Sequence, residues 1–458
     1  MTEKERKVVQ IPEITRVEGH SAVTIDIEDG VVTDVKLDVF EGTRFFEQIV
    51  LGHKFDELPH ITSRVCAICS TGHVLAAIFA VEQIFDFVPA PQELMLRELM
   101  HLGMIIESHA THICALALPD FLKTPDLVSF ATEHKDEFLI WTKLRTLGAA
   151  VQTLVGGRPF HPVNLHVGGV SKIPDYASLK LLKEDLLDSL QLSITLAELV
   201  LTFEPPVRRL TEPKFLCLVP KGKHYGYFGD VVKSTEGWER SIQEYQSYLL
   251  EEVVAYSHAK KSTVSGKPIM VGSMARLAMF SDRLEGEAAH LFKGSALAKG
   301  DHNTIWNNAA QAIEVVQAIQ RAAALIDEIV SIERKEIPLS ARDSLKPVAG
   351  KGAGAVECPR GTLYHYYEVD EKHSIVKADM ITPSAQNTAR IELDIKEVVA
   401  ANEVDEALMP NLETLVRAYD PCNTCATHMV SVNSRSRKET RKETRKGKGK
   451  GKGKGKGE

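Results

Sequence analysis

No run of the chain comes near the roughly 20 uninterrupted apolar residues that a membrane-spanning helix requires. The longest apolar stretches, such as Val74 to Val81, stop at Glu82 and Gln83. The charged start MTEKERKVVQ does not lead into an apolar segment of the kind that directs secretion. These absences point to a cytoplasmic protein with no direct membrane span. Cysteine is scarce as well: seven in 458 residues exclude a disulfide-built scaffold. No repeat of solenoid period is present. What remains, 44% hydrophobic and 26% charged residues, is the composition of an ordinary globular protein with a large core.

Charge is spread unevenly. Residues 429–458 hold twelve Lys or Arg against three Glu, a net of +9, which leaves −16 for residues 1–428 of a chain whose total is −7. The tail, KETRKETRK followed by alternating Gly and Lys, has no apolar periodicity and cannot bury enough surface to offset its chain entropy. A basic tail can attract nucleic acid. No nucleic-acid partner is expected, because the tail starts just past a pair of cysteines and reads as an extension outside the working protein.

Residues 22–39, AVTIDIEDGVVTDVKLDV, alternate apolar and polar on both sides of Asp29-Gly30, which predicts a β-hairpin. A second alternating pair, Leu363 to Val369 and Ile375 to Ile381, flanks a polar turn at Asp370 to His373. Between them the periodicity is helical. Gln92 to Ala117 carries Leu99, Leu102, Ile105, Ile106 and Ile113 at helical spacing, with Pro119 as the expected stop. Tyr176 to Leu201, Glu239 to His258 and Thr304 to Ile337 read as further long helices. The expected fold is α+β and predominantly helical, a long helical bundle with small β segments near both ends. Its parts are a β-containing segment over about 8–60, a helical body over about 61–340, a closing segment over about 350–428 and the basic tail over 429–458.

Four of the cysteines form two Cys-x-x-Cys pairs, Cys66 with Cys69 and Cys422 with Cys425; Cys114, Cys217 and Cys358 stand alone. Two such pairs can make a four-thiolate tetrahedral site for zinc or for a single iron. Zinc pairs usually sit within a few tens of residues of each other, whereas about 350 residues separate these. Spacing alone leaves the metal open.

The neighbouring residues are more specific. R-V-E-G-H (Arg16 to His20), R-V-C-A-I-C-S-T-G-H (Arg64 to His73), E-C-P-R-G-T-L (Glu357 to Leu363) and D-P-C-N-T-C-A-T-H (Asp420 to His428) follow one another in that order. Together they resemble the large subunit of [NiFe] hydrogenases over about Pro12 to His428. A-T-H after the last cysteine is most similar to the cytosolic, bidirectional branch.

The resemblance implies a reaction, the reversible heterolytic cleavage of hydrogen into protons and electrons. It implies nickel held by Cys66 and Cys422, with Cys69 and Cys425 bridging nickel to an iron that carries carbon monoxide and cyanide. Glu18 matches the carboxylate that exchanges a proton with Cys422, and Arg360 the arginine over the open face of the metals. Asp120 matches the carboxylate that orients this arginine, Ser384 a donor to cyanide, and His73 the imidazole at the Cys69 sulfur. Glu47 in R-F-F-E, the main-chain carbonyl near Met380 and His428 match a magnesium or similar hard-cation site. The same resemblance implies that a maturation endopeptidase cuts between His428 and Met429 and removes the tail. The partners it implies are an iron–sulfur small subunit, with further electron-transfer subunits linked to nicotinamide, deazaflavin or heterodisulfide.

Two positions depart from the family pattern: Ala67 stands where Gly is common, and Cys358 where Ala or another small residue is common. Both changes are small, so the site is expected to survive them. Cys358 reads as a buried small hydrophobe, as do Cys114 and Cys217. His109 and His112 lie on one helix beside Ile105, Ile106 and Ile113 and read as packing histidines or as proton-path residues near Asp120. With both pairs committed, no cysteine cluster is left for an iron–sulfur centre, so electrons are expected to leave through another chain.

Overall fold

The N-terminal hairpin forms as its alternation predicts. Ser21–Glu28 (β2) pairs antiparallel with Val31–Val39 (β3), and Arg6–Ile11 (β1) pairs with β2 on its other edge. Asp29 and Gly30 both take positive φ, 51° and 77°, the backbone that lets a two-residue turn follow the strands' twist. The computed structural model describes residues 5–207, 211–332 and 345–427.

Four long helices carry the core. Pro91–Thr111 (α2) lies between Lys135–Gly156 (α3) and Asn307–Ser331 (α5), and Tyr176–Val200 (α4) packs on α3 and α5. A further helix, Ser70–Ile84 (α1), is apolar all round and buried along nearly its whole length. It supports the C-terminal sheet Gly350–Cys358 (β4), Gly361–Val369 (β5) and Ile375–Ile381 (β6), in the order β4-β5-β6. A Cβ on Gly354 would come within 2.4 Å of the Ala76 carbonyl oxygen, so strand and helix approach as only glycine permits. The E-C-P-R-G segment is thereby pressed against the helix that directly follows Cys69.

The structure departs from the sequence expectation in three places. The helix over Gln92 to Ala117 does not end at Pro119. It passes into a π-helical turn, His112–Ala117, and continues as the short helix Leu118–Leu122. The wider turn accommodates a residue without N–H, and the Leu116 carbonyl accepts a hydrogen bond from Arg16 Nη1 at 3.1 Å. Glu239 to His258 is not one helix: it contains the strand Glu239–Ser241, a single helical turn at Tyr245–Tyr248 and the strand Leu249–Val253, which pairs with Lys260–Val264. The backbone ladder with Lys260–Val264, which buries Leu249 and Val264, outweighs the local helical pattern, and Glu251 pairs with Lys260 at 2.7 Å across it. Small sheets thus also interrupt the middle of the chain. Thr304–Trp306 is a 3₁₀ turn leading into α5, and the expected extension of that helix to Ile337 falls partly outside the described residues.

Beside α1, a buried polar chain links helices of the core. The Thr71 hydroxyl donates to Gln152 Oε1 at 2.9 Å, and Gln152 Nε2 donates to Glu107 Oε2 at 2.7 Å. Burial pushes the Glu107 carboxyl up from 4.5 to about 7, against the pull of Arg145. A carboxyl with a higher pKa folded than unfolded holds its proton more tightly in the folded state. Stability therefore falls as pH rises from 4.5 to about 7 and stays lower above that. Glu107→Gln keeps the Gln152 contact and removes the ionisation. Its thermal midpoint relative to the native chain is expected to rise by about 2–4 °C at pH 8 and by under about 1 °C at pH 5; equal shifts at both would contradict the assignment.

Candidate metal centre

The two ends of the chain meet at the cysteine pairs. Glu18 and Cys422 form a parallel backbone bridge, and Asn423 N–H donates to the Glu18 carbonyl at 2.9 Å. Gly19, with φ of 77°, makes this approach possible: a Cβ there would lie 2.9 Å from Asn423 Cβ. Cys69 stands directly before α1, and its N–H points at Cys66 Sγ at 3.4 Å. Cys422 directly precedes the short turn Asn423–Ala426. Arg44, three residues before Glu47, ties the two loops together by donating to the Val65 and Thr424 carbonyls. Sequence reasoning singled out Glu47 in R-F-F-E but missed the arginine at its start.

All four sulfurs are buried and lie within 4.8 Å of one another. Cys66 and Cys422 Sγ are 3.5 Å apart, Cys422 and Cys425 Sγ 3.1 Å. Hydrogen bonds from Cys422, Cys425 and Cys66 hold the Cys69 thiol well below the usual thiol range, while the contact with Cys425 pushes Cys422 well above it. Four soft donors at this spacing, with protons that a cation would displace, fit a thiolate-bound metal site.

Arg360 is buried beside them. Nη2 donates to Asp420 Oδ1 at 2.8 Å, Nε to the Asp420 carbonyl at 3.1 Å, Nη1 to Ser108 Oγ at 2.9 Å and to Cys69 Sγ at 3.5 Å. Burial opposes its charge, but the Asp420 carboxylate and the Cys69 sulfur keep it firmly protonated. The carboxylate that orients Arg360 is therefore Asp420, not Asp120. Asp120 is taken by Arg417, whose Nε and Nη2 donate to it at 2.7 and 3.0 Å, and by Arg16 of R-V-E-G-H. Arg417 also holds the Thr15 carbonyl at 2.9 Å, so Asp120 fixes the loop that carries Glu18. The resemblance had given this role to Asp120, and ion pairing across the fold gives it to Asp420 instead. Gln311 Nε2 donates to the second Asp420 oxygen at 3.0 Å.

Glu18 lies at the cysteines. Cys422 Sγ donates to Glu18 Oε2 at 3.1 Å, Thr424 N–H donates to the same oxygen at 3.0 Å, and the Thr424 hydroxyl donates to Oε1. Ser384 Oγ accepts from Cys422 N–H at 2.9 Å and borders the same cavity as Cys69, Cys358 and Arg360. His73 also borders it, with Nδ1 3.0 Å from His365 Nε2, and burial pulls the ring down to about 4, so it is neutral. Cys358 is buried, as expected of a small hydrophobe, but its thiol faces this cavity too. His109 pairs with Glu314 at 2.8 Å, and His112 faces Asp420 at 4.0 Å rather than Asp120.

The E-C-P-R-G segment is held from behind by Arg276. Its guanidinium pairs with Glu314 and Glu357 and donates to the carbonyls of Cys358 and Pro359. At the expected hard-cation site, Glu47 Oε1 accepts from Met380 N–H at 2.9 Å. Lys260 Nζ lies 3.7 Å from Glu47 and pairs with Glu251. His428 and Met429 lie outside the described residues.

A sequence model of the family described as nickel-dependent hydrogenase matches residues 44–139 and 222–428, and one described as HoxL-like matches residues 8–41. The chain belongs to the nickel-dependent hydrogenases. It is 37% identical to the alpha subunit of sulfhydrogenase 1 from Pyrococcus furiosus, across 92% of this chain and 98% of that one. It is 33% identical to a chain of the F420-non-reducing hydrogenase from Methanothermobacter marburgensis, across 92% and 95%. Among solved structures, an NAD+-reducing [NiFe]-hydrogenase in the H2-reduced state superposes with a TM-score of 0.78 at 26% identity, covering 92% of this chain and 99% of that one. The Ni-Fe-Se hydrogenase of D. vulgaris Hildenborough shares the fold, with a TM-score of 0.74 at 21% identity over 93% and 100%.

The chain is thus the catalytic large subunit of a hydrogenase, with the predominantly helical α+β fold expected. The family implies a nickel–iron active site, for which the four cysteines are the fitting donors; the zinc alternative is set aside. Its relatives are named as subunits of larger hydrogenases, and no helix among the described residues is long and apolar enough to cross a membrane. Asp420→Asn is expected to lower hydrogen turnover by about 10–100-fold with metal content retained. Asp120→Asn is expected to cost mainly thermal stability, about 3–5 kcal/mol at most for an ion pair left uncompensated. Turnover falling more in the Asp120 variant than in the Asp420 variant would reverse this assignment.

Proposed function

We propose that Cys66, Cys69, Cys422 and Cys425 hold the nickel and iron, that the iron carries carbon monoxide and cyanide, and that Glu18 is the proton relay of the large subunit. The observation that carries this reading is the 3.1 Å contact of Cys422 Sγ with Glu18 Oε2 inside a four-thiol cluster. When bound, the metals supply a Lewis-acidic, redox-active centre at which hydrogen is polarised. The chain's own groups do the rest. A proton held on Cys422 Sγ moves to Glu18 Oε2, and the two Thr424 donors keep that carboxylate aimed at the sulfur.

Arg360, fixed by Asp420 and Ser108, directs positive charge at the cluster and offers donors to anionic ligands such as cyanide. Ser384, already bonded to Cys422 N–H, offers its hydroxyl proton to the same kind of ligand. His73, neutral, packs beside Cys69 and stiffens that wall of the site. Glu47 with the Met380 backbone and His428 would hold magnesium or a similar hard cation. A maturation endopeptidase would cut between His428 and Met429 and release the basic tail.

The electrons leave to an iron–sulfur small subunit, then to nicotinamide-, deazaflavin- or heterodisulfide-linked subunits in the cytoplasm. Support comes from the cysteines themselves: among the described residues the two pairs form the one cluster of metal-capable groups.

The decisive experiment combines composition with one variant. Purified complex should contain nickel and iron in near-equal amounts, show infrared bands of carbonyl and cyanide, and have a large subunit whose mass ends at His428. Glu18→Gln should retain both metals and lose about 10²–10⁴-fold in hydrogen turnover and in solvent proton exchange. Zinc alone, or an active mature chain that still ends at Glu458, would defeat the corresponding parts of the proposal. A fully active Glu18→Gln variant would remove the relay.

A further inference from the structure

A row of three buried side chains runs from the cavity at the cysteines into the C-terminal sheet. His73, on α1, borders that cavity together with Cys69, Cys358 and Arg360. Its Nδ1 lies 3.0 Å from His365 Nε2, and His365 Nδ1 lies 2.8 Å from the Tyr367 hydroxyl. His365 and Tyr367 stand two residues apart on β5, so both side chains leave the same face of the strand. Both are fully buried, and water does not reach the phenol.

The hydrogen bonds fix where each proton of the row sits. Burial, and then the Glu47 charge, keep the Tyr367 phenol protonated. Among the described residues, His365 is the one hydrogen-bond partner of that hydroxyl. A buried O–H without an acceptor is costly, so the phenol donates and His365 Nδ1 accepts. His365 then carries its proton on Nε2 and donates it to His73 Nδ1. His73 is neutral, because burial pulls the ring down to about 4, so its single proton is on Nε2. With Nδ1 engaged, Nε2 is the nitrogen left for the cavity, and the Cys69 sulfur is near enough to work against the effect of burial on the ring. Turning every bond round would leave the phenol hydrogen unpaired and aim a lone pair of His73 at anionic sulfur.

We propose that Tyr367 is a positioning residue of the metal centre: through His365 it holds the proton of His73 on Nε2, where the ring donates an N–H toward the Cys69 sulfur. An N–H on a thiolate draws electron density from the sulfur and from the metals that the sulfur binds. The inference rests on the proposed nickel–iron site, since the sulfur it adjusts belongs to that site.

The test compares the native complex with Tyr367→Phe by metal analysis, infrared spectroscopy and hydrogen turnover. Tyr367→Phe removes one hydroxyl and keeps the ring. It should retain nickel and iron, move the carbonyl and cyanide bands to lower wavenumber as the sulfur loses its N–H, and lower turnover about 10-fold or more. His365→Leu breaks the row at its middle and should move the bands in the same direction. Adding Tyr367→Phe to His365→Leu should then move them no further, because Tyr367 acts through His365. Should Tyr367→Phe fail to assemble, the shift in His365→Leu carries the same expectation. Native band positions in both single variants, with a loss of thermal stability alone, would overturn the proposal. So would shifts that add in the double variant. A native complex without nickel and without these bands would instead defeat the site assignment, and this inference with it.

Discussion

Four cysteine sulfurs lie within 4.8 Å of one another in the interior, out of reach of bulk water. Without a cation they cannot all ionise, because each thiolate raises the cost of the next. The opposite shifts of Cys69 and Cys422 express that conflict within one cluster. The surrounding protein is arranged to ease it: a buried guanidinium at Cys69, the Cys69 backbone N–H directed at Cys66, and a carboxylate placed to take the proton that a sulfur must give up. The site is half of a charge balance whose other half is metal.

Holding such a cluster requires two chain segments far apart in sequence to stay in register. Two buried ion networks do this from opposite sides. Asp120 gathers Arg16 and Arg417, which fixes the Glu18 loop against the helix leading to Asp420. Arg276 gathers Glu314 and Glu357, which fixes the strand leading to Arg360. Burial opposes the Glu314 charge, yet the Arg276 guanidinium holds its carboxyl low. Such pairs contribute modestly to stability compared with apolar packing, but removing one partner is severe. Their role here is geometric: each ends on a residue that faces the cysteines.

Much of this was legible in the sequence, for reasons that differ by element. The hairpin at Asp29-Gly30 and the strand pair around Asp370 to His373 are written in period-two alternation, which local rules read directly. The cysteine pairs with Glu18 and Arg360 stood out because their motifs are specific as a set. Glu239 to His258 misled because a short strand beside a helical turn mimics a helical stripe, and the pairing of Glu251 with Lys260 is invisible along the chain. The resemblance pointed to Asp120 while Asp420 stood unassigned in its own motif, and only three-dimensional pairing shows that Arg360 is held by Asp420. Arg44 carried no chemical signal at all; its role as a clamp exists only once both loops are in place.

The bridge between Glu18 and Cys422 also sets an order of events during synthesis. A ribosome releases Glu18, Cys66 and Cys69 hundreds of residues before it reaches Cys422 and Cys425. Until then the first half of the pocket has no second wall, and its apolar surroundings face a chain that is still growing. The long loop that must close between the two pairs adds an entropic cost that grows only slowly with length. Closure therefore waits on the last short turn, and until that turn docks the Cys66 and Cys69 side of the pocket lacks its facing wall.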